Sequence, residues 1–399
     1  MKNILILGGG FAGLETAIYL KKQKFNVTLV SDRDYFYIYP TSIWVPTGES
    51  SFKDVCIDLK ELQRAHGFSL VIDAVQSISA KKSLVTLESG KVYDDYDYLV
   101  VAMGAHKMKH KGLINTLSIC GAPEQSLEIK ERIDALIEKG AGKICFGFGG
   151  NPNDTSAVRG GPGFELLFNL HNKLKQKGIR DNFDLTFFAP MPEPGKRMGP
   201  QALKMMEVFF KKYKINKSYG KKIKQFNKKS IVFEDDSTLD SDFTMFIPAG
   251  DGHSVIKKSD LPTNNAGFIK TNDFSQVVFE KEGEVDDTMP ANIYAVGDIA
   301  SLEGYDWRAK QGHVAEVMAR NVAHNIMQRE LGRTDFKGYH AHLNILCVMD
   351  SGDGAAFVYR DEKRAFMLPM PFIGHWLKKG WGVYCRYSKL GRIPRIPGM

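Results

Sequence analysis

NILILGGGFAGLETAIYLKKQKFNVTLVSD, residues 3–32, decides the fold. Apolar Ile4 to Leu7 lead into glycines, Ala17, Ile18 and Leu20 give the following stretch an apolar helical face, and FNVTLVSD alternates as a second strand. Strand, glycine turn, helix and strand make a βαβ unit. Gly8, Gly10 and Gly13 fit GxGxxG: one glycine for the tight turn, one to let backbone approach a pyrophosphate, one for close packing of helix on strand. Phe11 and Ala12 lie at the helix start, whose free N–H groups face the phosphates. Ser31 or Asp32, about 18 residues past Gly13, is placed to accept from the adenosine ribose.

Outside this motif, composition sets limits. With 399 residues, 43% hydrophobic and 25% charged, the chain can build two or three domains with substantial cores, which excludes a disordered protein. Five cysteines, Cys56, Cys120, Cys145, Cys347 and Cys385, form neither a CxxC pair nor a zinc spacing. No metal site is expected, and the odd count argues for reduced, cytosolic thiols rather than a secreted disulfide framework. The N-terminal apolar run enters glycines at Gly8, so it reads as a buried strand and not a signal peptide. Nowhere do 18 uncharged apolar residues stand together, so no spanning helix is expected.

The formal charge of +8 is unevenly placed. Residues 211–229 carry nine lysines and no acid, and read as a solvated helix end and a lysine-protected edge strand. The tail FMLPMPFIGHWLKKGWGVYCRYSKLGRIPRIPGM interleaves aromatics with six cations and no acid, the composition of a segment lying in a lipid headgroup layer. Phe372, Trp376, Trp381 and Tyr384 would supply the interfacial surface, with the cations attracting anionic headgroups. An ordinary core helix pair is the alternative. Nucleic acid is not expected, because no recognition motif accompanies the charge.

A second element bears on the cofactor. In NIYAVGDIA, Gly297 and Asp298 follow a short apolar strand and resemble the second FAD fingerprint of flavoproteins with two dinucleotide domains, in which the aspartate meets the ribityl chain. YDYLVVAMGA, with Ala102 and Gly104, resembles their third marker, Met103 replacing its usual threonine. FAD is therefore the expected cofactor, and Ala74 and Val75 join its expected contacts. Lys310 and Gln311 stand ahead of a helix whose apolar residues at 314, 317, 318, 322 and 326 share one face. That helix start and Lys310 would stabilise negative charge at the flavin pyrimidine edge. His313 is a second choice there. In the middle of the chain, about ten residues separate Gly149 and Gly150 from Gly160 and Gly161, too many for one tight phosphate turn, and the next strand ends in Ala189 and Pro190 where a ribose site wants an acid. NADH is not the expected donor.

Taken together, VTLVSDRDYFYIYPTSIW, YDYLVVAMGA, SIC ending at Cys120, GPGFE with Glu165, AKQGH around Lys310 and CVMDSGDGAAF around Cys347 resemble the sulfide:quinone oxidoreductases, relatives of type II NADH dehydrogenases and flavocytochrome c sulfide dehydrogenase. The resemblance implies FAD, a flavin-flanking cysteine pair that takes up sulfide as a persulfide, and a quinone that removes the electrons. Cys347 matches one flavin-side cysteine and Cys120 a third at the domain junction. The other flavin-side place is held by Arg159, and Cys145, 14 residues earlier, substitutes only if the intervening loop folds back. Arg159 would lower a neighbouring thiol's pKa or grip an anionic substrate, or else pair with Glu165. The expected architecture is α/β: residues 1–110 and 250–335 a discontinuous FAD domain, 111–249 a second Rossmann-like domain with a degenerate NAD site, and 336–399 a C-terminal segment bearing Cys347 and an amphipathic, membrane-contacting tail. The expected function is two-electron transfer from sulfide or a related sulfur reductant to a quinone, on the cytoplasmic face of the inner membrane as a peripheral, monotopic protein, with a homo-oligomer open; a quinone reductase of the same family with a non-sulfide donor and a non-catalytic flavin-binding membrane module are the alternatives.

Overall fold

The computed structural model describes residues 1–286 and 288–396; the last three residues of the basic aromatic tail lie outside them. Its principal elements, in chain order, begin with β1 (Asn3–Leu7), α1 (Phe11–Lys22), β2 (Asn26–Ser31), β3 (Ser69–Ile72) and β4 (Tyr98–Val101). Then come α2 (Gln125–Lys139), β5 (Gly142–Phe148), α3 (Gly161–Gln176), β6 (Phe183–Ala189), α4 (Pro200–Lys212), β7 (Ile215–Tyr219) and β8 (Phe243–Ile247). The chain ends with β9 (Ile293–Ala295), α5 (Gly312–Glu330), β10 (Ile345–Asp350), β11 (Gly354–Arg360), β12 (Ala365–Pro371) and α6 (Ile373–Lys389).

Two parallel sheets carry the α/β architecture. The first has the order β9-β4-β1-β2-β3, so a strand from residue 293 onward completes a sheet begun at residue 3. Its inner strands β1 and β4 are buried on both faces, as parallel strands covered by helices must be. Helices α1 and α5 pack on each other beside it, and Val314, Val317, Met318, Val322 and Ile326 are all buried there. The second sheet, β7-β6-β5-β8, is also parallel, with β7 at its edge. Edge residue Lys217 pairs with Glu207 at 2.5 Å and neighbouring Lys214 with Asp181 at 2.7 Å, so part of this lysine run is neutralised at a solvated surface. The element after β9 is a short turn at Gly297–Ile299, and the next long helix starts at Gly312, directly behind Lys310 and Gln311.

The C-terminal β10-β11-β12 is an antiparallel sheet, and α6 lies against it. His375, Lys378, Cys385 and Lys389 fall on one side of α6 and are buried. Lys378 pairs with Glu165 on α3, while Lys389 reaches Glu15 on α1 at 2.5 Å and Glu316 on α5. Arg395 also meets Glu15. The remaining tail cations are similarly committed: Lys379 to Glu49 at 3.2 Å, Arg392 to Glu61 at 3.1 Å, and Arg386 to the Cys56 carbonyl at 2.8 Å. The structure thereby corrects the expectation that six tail cations face lipid headgroups. Lys378, Lys389 and Arg395 face the protein because three buried carboxylates need them, while Lys379, Arg386 and Arg392 hold partners nearer the surface. What α6 and β12 turn outward is apolar: Phe372 is 77% exposed, Ile373 74% and Trp376 70%. Trp381 and Tyr384 are half-buried, and the Tyr384 hydroxyl accepts from the Ile396 N–H at 2.7 Å, so they do not belong to this outer face. No helix among the described residues is long and apolar enough to cross a membrane.

Breaking a buried ion pair from one side leaves the other charge uncompensated, at a cost of about 3–5 kcal/mol. We expect Lys389→Met, which strands Glu316 and leaves Glu15 with Arg395 alone, to lower unfolding stability by about that much in urea titrations, whereas Lys214→Met at an exposed pair changes it by less than about 1 kcal/mol. Equal small effects would show that α6 is held by its apolar contacts alone.

Candidate active site

A cavity of about 2680 Å³ runs between the two parallel sheets and under β10 and α6. At one end the β1–α1 turn forms a cradle. Gly8 has φ +112, a conformation that favours glycine, and a Cβ there would strike the Ala102 carbonyl; one on Gly13 would strike the Gly8 carbonyl. Gly10 faces open space, so its lack of a side chain matters to whatever occupies the cavity. The N-cap of α1 carries no side-chain cap, leaving its first N–H groups free for an anion. Gly10, Phe11, Ala12, Asp32, Ala74, Val75, Ala102 and Gly104 line the cavity, as do Gly297, Asp298, Lys310 and Gln311. A Cβ on Gly297, at φ +74, would lie 3.0 Å from Cβ of Ala12, so this turn abuts the α1 start. The Gln311 Oε1 is buried without a partner. An open glycine cradle, a free helix N-terminus and an orphaned amide at one cavity wall fit an extended dinucleotide such as FAD.

Ser31 does not line the cavity. Its hydroxyl donates to the Arg33 carbonyl at 2.7 Å and accepts from the Arg33 N–H at 3.3 Å, consuming it in the local turn and leaving Asp32 as the ribose candidate. Lys310 is buried, donates to the Ala300 carbonyl and lies 4.0 Å from the Phe268 ring centroid; burial pushes its pKa down to about 7. His313 Nε2 meets Asn344 Oδ1 at 2.6 Å, and burial lowers its pKa.

At the other end, Cys347 on β10 faces the cavity with its thiol 3.7 Å from Glu165 Oε1. Glu165 holds Lys378 on its other oxygen, and burial raises the carboxyl's pKa. Burial, reinforced by the Glu165 charge, pushes the Cys347 thiol up to about 12. Here the structure departs from two of the three sequence readings of Arg159: it pairs with Asp298, neither with Glu165 nor beside the Cys347 thiol. Cys120 is buried and lines the same cavity. Cys145 does not; it points from β5 into a separate cluster with Phe188, Phe226 and Phe246, its thiol 3.5 Å from the Asp240 carbonyl, and it cannot fill the missing cysteine's place. Of the tail aromatics, Trp376, Trp381 and Tyr384 line the cavity and Phe372 does not. Lys378, counted by sequence only as a headgroup cation, is the functional-site residue that reading missed; its one signal was the inward spacing it shares with His375, Cys385 and Lys389.

The family model described as pyridine nucleotide-disulphide oxidoreductase matches residues 2–324. The sulfide-quinone reductase of Aquifex aeolicus is 27% identical over 382 residues, covering 90% of this chain and 84% of that protein. The type II NADH:quinone oxidoreductase of Staphylococcus epidermidis is 22% identical over 396 residues, covering 92% and 93%. Among solved structures, the sulfide:quinone oxidoreductase of Aquifex aeolicus superposes with a TM-score of 0.84 at 26% identity, over 98% of this chain and 92% of that one. NDH2 of Plasmodium falciparum gives 0.75 at 13% identity, over 98% and 96%, a likeness of fold.

The two glycines separate folding from cofactor binding. We expect Gly10→Ala to fold with unchanged stability when stripped of cofactor yet to lose FAD affinity, since its methyl enters the cavity, whereas Gly13→Ala loses both, since its methyl enters the β1–α1 packing. Flavin fluorescence and thermal melts read the two effects, and full FAD binding by Gly10→Ala would remove the cavity end from the cofactor site.

Proposed function

The chain belongs to the pyridine nucleotide-disulphide oxidoreductases, and on that premise we propose that it moves two electrons from a small sulfur donor, sulfide first, through FAD to a membrane quinone. It is a flavoenzyme similar to sulfide-quinone reductase, with FAD as its cofactor and a quinone-linked oxidoreductase activity. Bound FAD supplies a ring that accepts two electrons. The single observation that carries the sulfur donor is the Cys347 thiol in the cavity wall, 3.7 Å from a carboxylate.

Glu165 is placed to take the Cys347 proton, which a thiol pushed up to about 12 does not give to water at neutral pH. An S–S bond would form between hydrosulfide and Cys347, with bound FAD supplying the two-electron acceptor and the hydrosulfide and thiol protons passing to Glu165 and water. Lys378 holds Glu165 in position. Cys120, the other thiol lining the cavity, is the candidate to receive the sulfur. Lys310 supports negative charge at the cofactor from within the cavity wall.

For the acceptor, Trp376 and Leu377 belong both to the exposed apolar face and to the cavity lining, which suits a quinone entering from lipid. Phe372 adds to this: it is held at φ 61 and ψ −60, a strained turn conformation for a bulky residue, while its ring stands in solvent. The protein is proposed to sit peripherally on one leaflet through this face.

We expect Cys347→Ser to retain FAD while flavin reduction by sulfide falls by about a hundredfold or more; survival of a near wild-type rate makes Cys347 core filler. In Glu165→Gln the same step should slow, and the wild-type rise in rate with pH, as Glu165 loses its proton through its raised pKa, should flatten. Because the tail cations are committed inward, liposome sedimentation should persist on neutral lipid and in high salt. Phe372→Gly with Trp376→Ser should abolish it without loss of FAD, whereas binding that vanishes in salt would return the interaction to charge.

A further inference from the structure

One branch of the cavity, distinct from the cofactor cradle and from Cys347, is walled by residues that follow β5 and β6 and by β11. Its walls include apolar Met191, Leu203 and Trp307, and its charges are mostly positive. Lys196 is paired with Glu193 at 3.0 Å, but among the described residues Arg197, Lys222 and Arg360 have no carboxylate within 4.0 Å. Arg360 donates to the Arg197 carbonyl at 2.8 Å and lies 5.1 Å from the Trp307 ring centroid, so its guanidinium is fixed rather than swinging free. Arg197 in turn donates to the Thr155 and Val158 carbonyls of the loop before α3. Arg197 and Arg360 are half-buried, where cations without counter-charges are costly to keep unless an anion visits them, and exposed Lys222 adds a third positive charge.

Register ties this branch to the thiol. In the β10–β11 ladder Ile345 faces Arg360 and Cys347 faces Val358, so Arg360 and Cys347 share one face of the sheet as diagonal neighbours, with about 7–8 Å between such positions. Hydrosulfide is too small to span that gap and needs no apolar wall. The geometry points to an anion subsite: the branch takes the carboxylate or phosphate end of an organic sulfur compound whose sulfur reaches Cys347. This deepens the donor side of the proposed function and rests on it. It also relocates anion recognition from Arg159, whose charge Asp298 answers, to Arg197, Lys222 and Arg360.

Two redox-inert thioethers of similar size and opposite charge, methylthioacetate and methylthioethylammonium, test it on the FAD-loaded protein by perturbation of flavin absorbance. Methylthioacetate should bind about tenfold or more tightly than the cation. Arg360→Gln should erase most of that preference while its amide can still serve the Arg197 carbonyl; Lys222→Gln, at an exposed residue without a carboxylate partner, should weaken it without threatening the fold. Lys214→Gln, outside the branch, should leave it intact. Equal binding of the two ions, or a preference untouched in both branch variants, overturns the subsite even if sulfide bleaches the flavin. NADH binding that is lost in those variants and bleaches the flavin overturns it too, by making the branch a dinucleotide site. Failure of sulfide to bleach the flavin, with the anion preference still lost on substitution, keeps the anion subsite and sinks the sulfur donor.

Discussion

Two lysines of one helix hold this molecule together across its functional cavity. Lys378 is buried against Glu165 on α3, and Lys389 against Glu15 on α1 and Glu316 on α5. One rigid element thus contacts both parallel-sheet units through charges that water cannot reach. Burial of such pairs adds little net stability, but it strongly penalises arrangements that separate them. The position of α6, and with it the roof of the cavity and the placing of the apolar outer face, follows from satisfying three carboxylates that would otherwise be stranded.

The chemistry of the thiol depends on the same constraint. Lys378 occupies one oxygen of Glu165 and leaves the other toward Cys347. Burial raises the proton affinity of both groups, and the Glu165 charge raises that of the thiol further, so Cys347 rests as a thiol with a carboxylate oxygen already beside it. An arginine next to the sulfur would have given a standing thiolate instead. The protein spends Arg159 on Asp298, at the turn that abuts the α1 start, so the two charges settle each other away from the sulfur.

How much of this was legible in sequence follows from range. The glycine turn, its two strands and its helix lie within thirty-odd residues, and each glycine has a local steric reason, so the first domain's fold and cofactor cradle could be read directly. Cys347, Glu165 and Cys120 were reached through resemblance, and the structure brings all three to one cavity. Ser31 was not separable from Asp32, since only the turn geometry shows its hydroxyl consumed by Arg33. The tail cations were misjudged for a definite reason. Their partners lie 374, 213 and 73 positions away in the chain, and no local pattern links Lys389 to Glu15 or Lys378 to Glu165. A basic aromatic segment that faces lipid and one that inserts its cations between helices have the same composition.

The central claim, a thiol-served flavin that takes electrons from sulfur and not from a nicotinamide, is tested most directly by anaerobic titration of the FAD-loaded protein with sulfide and, separately, with NADH. Sulfide should bleach the flavin absorbance with a stoichiometry of two electrons per FAD, and a soluble quinone analogue should restore it, while NADH leaves it unchanged. Rapid bleaching by NADH with none by sulfide would contradict the claim and make the middle domain the donor site.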